Sequence, residues 1–265
     1  MWGANPHRHI KDVVLFMGLP IYDDWIWSFS RLSLYEQCPY AFALKYLYGE
    51  DSAQTNFYAE FGLLIHKIHE LYYTGELNDK GLVPYYIEHF NDVSDHKYKT
   101  KYFVEGLNYL NGGIAVKPRD IVGVEKLINF KVDNYNFVGF IDLLYRNKDG
   151  TLTICDHKSH PLSPRSNRKK PTASDKELDN YLRQLYLYAH GVHQLGLGNV
   201  GGLQFNCFRG SKIVSERYSE DKEKEAVEWA ADTIHKIENA GEFMPDYDWF
   251  YCNNLCDNRR SCEYK

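Results

Sequence analysis

GFIDLLYRNKDGTLTICDHK, residues 139–158, is the stretch that decides the fold predicted from this sequence. Two apolar runs, Phe137–Tyr145 and Thr151–Cys155, flank the turn sequence Asn147-Lys148-Asp149-Gly150. A short segment rich in Asn, Asp and Gly between two apolar runs is typical of a β-hairpin. We therefore expect two paired strands here, with the rest of the chain built around them.

Two carboxylates interrupt this apolar hairpin, Asp142 in the first strand and Asp156 at the end of the second. A buried carboxylate is costly unless it is paired or binds a cation. Asp156 and Lys158 are two residues apart, so in a strand both side chains project to the same side. A metal-binding carboxylate beside a lysine that can orient water suits metal-assisted phosphodiester hydrolysis. A half-buried Asp156–Lys158 ion pair explains the same residues, and the two alone do not decide between these interpretations.

The composition predicts a well-packed protein without a strongly basic surface. A chain of 265 residues with 15% aromatic side chains can bury a full core, and we expect one elaborated domain over residues 1–265. The net charge of −5 gives no global field that attracts nucleic acid, so such contacts must use local basic patches. Solvated loops are the default interpretation of these patches. They are Arg165, Arg168, Lys169 and Lys170 in one loop and Lys97, Lys99 and Lys101 in another.

Compartment and cysteine chemistry are predicted together. The apolar run Val13–Pro20 follows Arg8 and Lys11 as in a signal peptide, but it lacks a small-residue cleavage site. No apolar run is long enough to span a bilayer, so we expect a cytoplasmic protein without a membrane partner. In that compartment disulfides are disfavoured, and the six cysteines favour metal ligation.

The periodicity of the remaining chain predicts an α/β protein. Helices are predicted over 31–37 (with Ser30 as N-cap), 40–48, 55–73, 83–90, 99–110, 176–195 and 220–240. Strands are predicted over 121–132, across the hairpin, and over 200–208 and 213–218. Residues 76–118 are interpreted as a helical insertion, residues 160–175 as a mobile polar loop, and residues 1–27 as an irregular lead-in.

Two predicted helices carry polar residues at helical spacing. Gly62, His66 and Glu70 share one face of the helix over 55–73, with Gly62 leaving room for a close neighbour. A surface His66–Glu70 pair beside a packing glycine is the simpler explanation of this pattern taken alone. Gln184 and Tyr188 share a face of the helix over 176–195 in the same way. Glu125 is a further acid within an apolar strand, and a solvent-facing position would explain it.

The tail carries the spacing Cys252-x3-Cys256-x5-Cys262, which is a metal or cluster signal. Zinc and iron–sulfur sites both usually take four protein ligands, so a fourth must come from elsewhere. Cys155 and Cys207 lie in apolar strands, where a free cysteine behaves as a small hydrophobe. Cys38, at a helix junction before Pro39, is the better candidate for the fourth ligand.

Taken together, the motifs resemble the RecB-type nucleases of the PD-(D/E)XK superfamily. The resemblance is closest to the iron–sulfur branch, which includes AddB nuclease domains and CRISPR-associated RecB-like exonucleases, and it runs from about Ser28 to Cys262. Each motif is weak alone, but six occur in the order of the family. They are Cys38-Pro39, Gly62-x3-His66-x3-Glu70, Gly139-x2-Asp142, Asp156-His157-Lys158, Gln184-x3-Tyr188 and the C-terminal cysteine triplet.

The resemblance implies a restriction-endonuclease-like α/β core with a central mixed sheet flanked by helices. The helical insertion at about 76–118 and a cysteine-ligated tail at about 250–265, joined to Cys38, would complete it. It implies that His66, Asp142 and Asp156, with the backbone carbonyl of His157, bind Mg²⁺ or Mn²⁺. Lys158 matches the lysine that positions the attacking water. Gln184 and Tyr188 match the motif that contacts DNA, and Cys38, Cys252, Cys256 and Cys262 match the ligands of a [4Fe–4S] cluster.

The expected function is therefore a metal-dependent DNA exonuclease of recombination, repair or phage type, acting on DNA with free ends. Glu70 is expected to support His66, and the loop 160–175 to contact phosphates. Because no G-x4-G-K-[ST] motif occurs, a stand-alone nuclease is expected, and a recombination or helicase partner is compatible with it. Three alternatives are a non-cleaving module that binds DNA ends, an electron-transfer protein, and zinc in place of the iron–sulfur cluster.

Overall fold

The structure, a computed structural model, describes residues 25–49, 57–210, 212–259 and 262–264. The predictions for the lead-in before residue 25, including the apolar run Val13–Pro20, and for the first residues of the helix from Thr55 lie outside these ranges. The chain forms two compact units. Unit 1 contains Met1–Gln54, Lys131–Phe137 and Trp229–Lys265, and unit 2 contains Thr55–Phe130 and Val138–Glu228.

A mixed β-sheet makes up the centre of unit 2, and the segment Lys131–Phe137, which joins two of its strands, belongs to unit 1. The strands are β2 (Asp120–Val132), β3 (Tyr135–Arg146), β4 (Leu152–Lys158), β5 (Val200–Cys207) and β6 (Lys212–Arg217). Strand β2 pairs with β3, β3 is antiparallel to β4, β4 is parallel to β5, and β5 is antiparallel to β6. This mixture of parallel and antiparallel pairs, together with the helices described next, confirms the predicted α/β class with a mixed central sheet.

The predicted hairpin forms as β3 and β4. Leu143 lies opposite Cys155 across the two strands, and the turn between them closes with a hydrogen bond from Asn147 N–H to Thr151 O of 2.8 Å. Gly150 adopts a φ of 86°, which is a conformation that favours glycine at this turn. The sequence signal Asn-Lys-Asp-Gly therefore identified a real chain reversal.

Four helices of unit 2 flank the sheet: α3 (Phe57–Tyr73), α4 (Leu82–Phe90), α5 (Lys99–Asn111) and α6 (Ala173–Gln194). Leu143 and Cys155 are fully buried in the hydrophobic core that α3, α4 and α5 share with the sheet. Helix α6 packs on β2 at Gly191, where an added Cβ would meet the Phe130 ring at 2.8 Å. The predicted helical insertion thus corresponds to α4 and α5, whose apolar faces complete this core.

Unit 1 contains the short strand β1 (Ile26–Trp27), which lay within the predicted irregular lead-in and pairs in parallel with Asn136 and Phe137. Its helices are α1 (Phe29–Gln37), α2 (Pro39–Tyr46) and α8 (Trp249–Asn254), and α7 (Glu220–Glu238) enters it at Trp229. The structure corrects the predicted N-cap of the first helix, because Ser28 and not Ser30 accepts the hydrogen bond from Arg31 N–H. None of the helices in the described ranges has the length and apolar character that a membrane crossing requires.

Candidate functional site

Three side chains from different elements of unit 2 converge on one point. His66 of α3, Glu125 of β2 and Asp142 of β3 bring their ligand atoms within 4.8 Å of one another. His66 Nδ1 lies 3.5 Å from Asp142 Oδ2 and 3.9 Å from Glu125 Oε1. The predicted ligands His66 and Asp142 are therefore neighbours, although 76 residues separate them in the sequence.

The carboxylates in this cluster lie close together, and they shift the pKa values of Asp142 and His66. Burial, followed by the charge of Asp156, raises the pKa of Asp142 to about 7, although the backbone N–H of His157 donates to Asp142 Oδ2 at 2.7 Å. Burial lowers the pKa of His66, but the neighbouring Glu125 carboxylate and the charge of Asp142 outweigh it and raise this pKa to about 9. Negative charge is thus concentrated where water is partly excluded.

Asp156 and Lys158 lie side by side at the end of β4, as the strand alternation predicted. Lys158 Nζ is 2.8 Å from Asp156 Oδ2, yet this buried oxygen accepts no well-aligned hydrogen bond from any described residue. Burial lowers the pKa of Lys158, but the adjacent charge of Asp156 outweighs it, and the pKa is raised. Lys158 is therefore an ammonium group at neutral pH.

The donor set of this cluster fits a hard divalent cation. Two carboxylates and one imidazole form the group, the charge of Asp156 acts on it from nearby, and carboxylate oxygen is the ligand that Mg²⁺ prefers. Burial of Asp142 and Asp156 is costly unless cations compensate for it, and the Lys158 ammonium compensates for Asp156 in part. His66, Glu125, Asp142 and Asp156 are thus the residues that could hold such an ion.

Helix α6 brings the two residues of the Gln184-x3-Tyr188 motif to the same place. Lys158 Nζ donates to Gln184 Oε1 at 3.4 Å, and Gln184 Nε2 donates to the Tyr188 hydroxyl at 3.0 Å. Tyr188 in turn covers Gly139, where an added Cβ would lie 2.5 Å from the tyrosine ring. The glycine of the Gly139-x2-Asp142 motif therefore provides space for the tyrosine of another motif.

A buried polar network lies behind the candidate ligands. The rings of His69 and His157 stack with centroids 4.0 Å apart, and the Asn206 side chain contacts both, at 3.2 Å from His69 Nε2 and from His157 Nδ1. The Tyr109 hydroxyl completes the network at 2.9 Å from His69 Nε2. Burial lowers the pKa of His69 to about 3, so this ring is neutral. The network fixes the backbone that donates to Asp142.

The structure corrects two predictions made for α3. Glu70 does not support His66, because its carboxylate pairs with Lys67 at 2.9 Å and the acid beside His66 is Glu125. Gly62 does not accommodate a close neighbour, since an added Cβ would meet Ser159 Oγ at an ordinary 3.9 Å. The spacing of four placed these residues on one face correctly, but spacing alone does not show which acid lies opposite.

Glu125 is the site residue whose role sequence reasoning missed. Its φ of 45° is unusual for a residue other than glycine, and such strained positions cluster at functional sites. The only signal in the sequence is an acid within an apolar strand, which a solvent-facing position explained equally well. Its location beside His66 depends on the pairing of β2 with β3 and could not be derived from local pattern.

The loop 160–175 is held more firmly than predicted. Asp175 accepts hydrogen bonds from the backbone and side chain of both Ser166 and Thr172, at 2.6 to 2.7 Å. The interaction with Thr172 forms a capping box, so α6 begins at Ala173, three residues before its predicted start. These four hydrogen bonds tie the loop to the first turn of α6.

The four basic residues of this loop that are predicted to contact DNA differ in their surroundings. Arg165 pairs with Asp179 at 2.6 Å and with Glu216 at 3.2 Å, so two carboxylates already neutralise its charge. Arg168, Lys169 and Lys170 are exposed to solvent. Their side chains are therefore accessible to a phosphate group.

The four cysteines predicted as cluster ligands meet in unit 1. Cys38, Cys252, Cys256 and Cys262 line one cavity. Burial raises the pKa of the Cys256 thiol, and the other three cysteines add to this increase. Cys38 Sγ lies at the N-terminus of α2 and accepts a hydrogen bond from Ala41 N–H at 3.4 Å. Cys155 and Cys207 are instead fully buried in strands, as predicted for small hydrophobes.

Comparison with known proteins identifies the class. The family model of the PD-(D/E)XK nuclease superfamily matches residues 26–265, and the chain belongs to that superfamily. The chain is therefore a nuclease-family protein built on an α/β core. No curated protein matches the sequence.

Two solved structures are similar in fold. A protein from Eubacterium rectale, described as a "putative exonuclease", aligns with 98% of this chain and 93% of its own at 14% identity, with a TM-score of 0.50. At this identity the likeness shows the fold alone. The structure of SSO0001 aligns with 97% of this chain and 95% of its own at 17% identity, and its TM-score of 0.37 supports no statement about function or fold.

Proposed function

We propose that the protein is a metal-dependent DNA exonuclease that degrades DNA from free ends. The observation that carries this proposal is the convergence of His66, Glu125 and Asp142 beside the buried Asp156–Lys158 pair. Superfamily membership supports a nuclease, and the donor set supports Mg²⁺ or Mn²⁺. A role of recombination, repair or phage type would suit such an enzyme.

In this proposal Asp142 and Asp156 are the main metal ligands, with His66, Glu125 and the backbone carbonyl of His157 available to complete the set. The bound ion would polarise the scissile phosphate and lower the pKa of a coordinated water. Lys158 stays protonated, so it would orient the water and stabilise negative charge at the phosphate instead of removing a proton. Gln184 would hold the ammonium in place through its 3.4 Å contact.

DNA contacts are proposed on two elements. Gln184 and Tyr188 lie on α6 next to Lys158, where a strand entering the site would pass. Arg168, Lys169 and Lys170 would contact phosphates through charge alone, an interaction that depends on salt and not on base sequence. Such contacts suit an enzyme that degrades any sequence from its end.

The test compares linear end-labelled DNA with closed circular DNA, with Mg²⁺ or Mn²⁺, for wild type and Asp156→Ala. We expect loss of the linear substrate only, dependent on metal and absent in the variant. Degradation of the circle at the same rate would exclude an exonuclease. Binding of DNA ends without cleavage by the wild type under either metal would favour a non-cleaving end-binding module.

We also propose that Cys38, Cys252, Cys256 and Cys262 bind a [4Fe–4S] cluster, as in the iron–sulfur branch of the RecB-type nucleases. Their position around one cavity supports a shared metal centre. Four cysteine ligands would also suit zinc, so metal analysis has to distinguish the two.

Metal analysis of protein purified without oxygen tests this second proposal. We expect about four iron atoms per chain and little zinc in wild type, with the iron lost in Cys256→Ser. Cys207→Ser provides the matched control, because this cysteine is buried in β5 and should retain the cluster. Stoichiometric zinc in place of iron would contradict the proposal.

A further inference from the structure

His160 lies two residues beyond Lys158, and both residues contact the same aromatic ring. The His160 ring centroid is 5.1 Å from the Tyr181 centroid, and Lys158 Nζ is also 5.1 Å from it. Tyr181 belongs to α6, one turn before Gln184, which contacts Lys158. His160 therefore belongs to the surroundings of Lys158, although none of the six motifs includes it.

One nitrogen of His160 is buried without a partner. His160 Nε2 is shielded from solvent and makes no hydrogen bond with any described residue. Buried polar side-chain atoms are nearly always hydrogen-bonded, so each exception needs an explanation. His157 Nε2, on the residue before Lys158, is also buried without a hydrogen bond, but the His157 ring lies within the network of His69 and Asn206.

The charges around His160 indicate what kind of atom this nitrogen could meet. Burial, followed by the charge of Lys158, lowers the pKa of His160, and Asp156 opposes this only in part. The ring is therefore neutral at neutral pH and can donate one N–H. A phosphate ester oxygen only accepts hydrogen bonds, and the Lys158 ammonium draws such an anionic group to the same place.

We propose that His160 is a substrate-contacting residue whose Nε2–H donates a hydrogen bond to a non-bridging oxygen of the scissile phosphate. This inference rests on the proposed nuclease function. In that function Asp156 would hold the metal ion, and the His160 nitrogen would face the phosphate. The competing explanation is that His160 only packs against Tyr181.

Two substitutions separate these explanations. His160→Phe keeps a ring on Tyr181 but removes the donor, and His160→Gln keeps a donor with weaker packing. His89→Phe is the matched control, because His89 also packs on a tyrosine, Tyr85, with ring centroids 4.1 Å apart. The assay is single-turnover cleavage of an end-labelled strand with Mn²⁺, together with the thermal midpoint and the metal affinity of each variant.

We expect His160→Phe to slow cleavage by about tenfold to a hundredfold at unchanged thermal midpoint and metal affinity. His160→Gln should retain more of the rate than His160→Phe, and His89→Phe should match the wild type. Replacing the scissile phosphate by a methylphosphonate that lacks the contacted oxygen should abolish the difference between wild type and His160→Phe. Cleavage by His160→Phe at the wild-type rate would overturn the inference.

A second readout does not require cleavage. In ¹⁵N-labelled protein, the His160 Nε2 signal should shift when a short oligonucleotide binds and should not shift with the methylphosphonate analogue. An absent shift, with binding demonstrated, would overturn the role of His160 even if the enzyme cleaves DNA. A shift in a wild type that does not cleave would support the contact while contradicting the nuclease function, so the two failures remain distinguishable.

Discussion

The contacts of Lys158 indicate its protonation state. Its ammonium contacts Asp156 at 2.8 Å, Gln184 at 3.4 Å and the face of Tyr181. A lysine that serves as a general base needs a lowered pKa, whereas the pKa of Lys158 is raised. Beside Asp156, Lys158 is therefore an ammonium group, which suits the orienting role proposed for it.

The first prediction concerns Lys158 itself. Lys158→Ala should abolish cleavage, by a factor of about 100 or more, because the variant loses a charge aimed at the reacting phosphate. Affinity for DNA should fall only slightly, since one ammonium is a small part of the contact with the strand. Gel-shift titration and single-turnover cleavage measure the two quantities, and Lys67→Ala, an exposed lysine on α3, is the control. Equal loss of both would remove the catalytic role.

The second prediction separates the two glutamates near His66. Glu125→Gln should weaken Mn²⁺ binding by about tenfold or more, because a carboxylate next to His66 and Asp142 is neutralised. Glu70→Gln should leave it unchanged, because Glu70 pairs with Lys67. Calorimetric titration of Mn²⁺ into each variant provides the measurement. The reverse result, with Glu70 as the sensitive position, would contradict the site described here.

Helix α6 is the element that assembles the site from several parts of the chain. It presents Gln184 to Lys158, Tyr188 to Gly139 and Tyr181 to both Lys158 and His160. Its N-terminus is capped by Thr172 and Asp175, which also hold the preceding loop. The position of one helix therefore determines how the ends of β3 and β4 are covered.

The third prediction tests the packing of α6 on the hairpin. Gly139→Ala places a Cβ 2.5 Å from the Tyr188 ring, so the helix or the strand must shift. We expect a loss of about 1–3 kcal/mol in the free energy of unfolding, with reduced cleavage, because Gln184 moves with Tyr188. Denaturant unfolding measures the first effect. Gly62→Ala is the control, since a Cβ there has room; comparable stability of the two variants would contradict the packing described.

The fourth prediction concerns pH and the cap of α6. Hydrogen bonds from Ser166, followed by those from Thr172, lower the pKa of Asp175 below its unfolded value. The stabilisation by the carboxylate is therefore fully present above the unfolded pKa of about 3.9 and is lost as the pH falls through the folded value. Asp175→Asn should lower the thermal midpoint at pH 7, and the difference from wild type should shrink below about pH 4.

Thermal unfolding followed from pH 7 to pH 2 checks this dependence on protonation. Asp95→Asn serves as the control, because Asp95 is fully exposed and only pairs with Lys99 at 3.4 Å. A difference between wild type and Asp175→Asn that stays constant down to pH 2 would show that the carboxylate charge is not what stabilises the cap.

At the scale of the whole molecule, a DNA-binding role must overcome a net charge of −5. Several cations are used inside the protein: Arg165 pairs with Asp179 and Glu216, and Arg209 with Glu105. The loop cluster Arg168, Lys169 and Lys170 is exposed and lies outside these pairs. Binding to phosphates should therefore depend on few charges.

The fifth prediction follows from this distribution of charge. The slope of log affinity against log salt should be shallow for wild type, since each phosphate contact with a single strand contributes about −0.7. Replacing Arg168, Lys169 and Lys170 by alanine should make it less negative by up to about 2. Fluorescence anisotropy at several salt concentrations measures the slope. An unchanged slope would show that this loop does not contact the strand.

The sequence predicted the hairpin because its turn chemistry and its apolar alternation are local signals, and Asn147 and Gly150 sit where they were expected. It also paired Asp156 with Lys158, since strand alternation needs no tertiary information. It did not reveal the ion pairs of Arg165, because no local pattern indicates partners as distant in the chain as Glu216. For the same reason, the sequence suggests Glu70 as the acid that supports His66, whereas the acid beside His66 is Glu125, which is distant in the chain.

The packing of Tyr188 over Gly139 has an evolutionary consequence. The tyrosine occupies the volume that any side chain at position 139 would need. In related chains we expect the two positions to change together, since a larger residue at 139 requires the ring at 188 to shift or to be replaced by something smaller. The motifs Gly139-x2-Asp142 and Gln184-x3-Tyr188, which look independent in a single sequence, would then be inherited together.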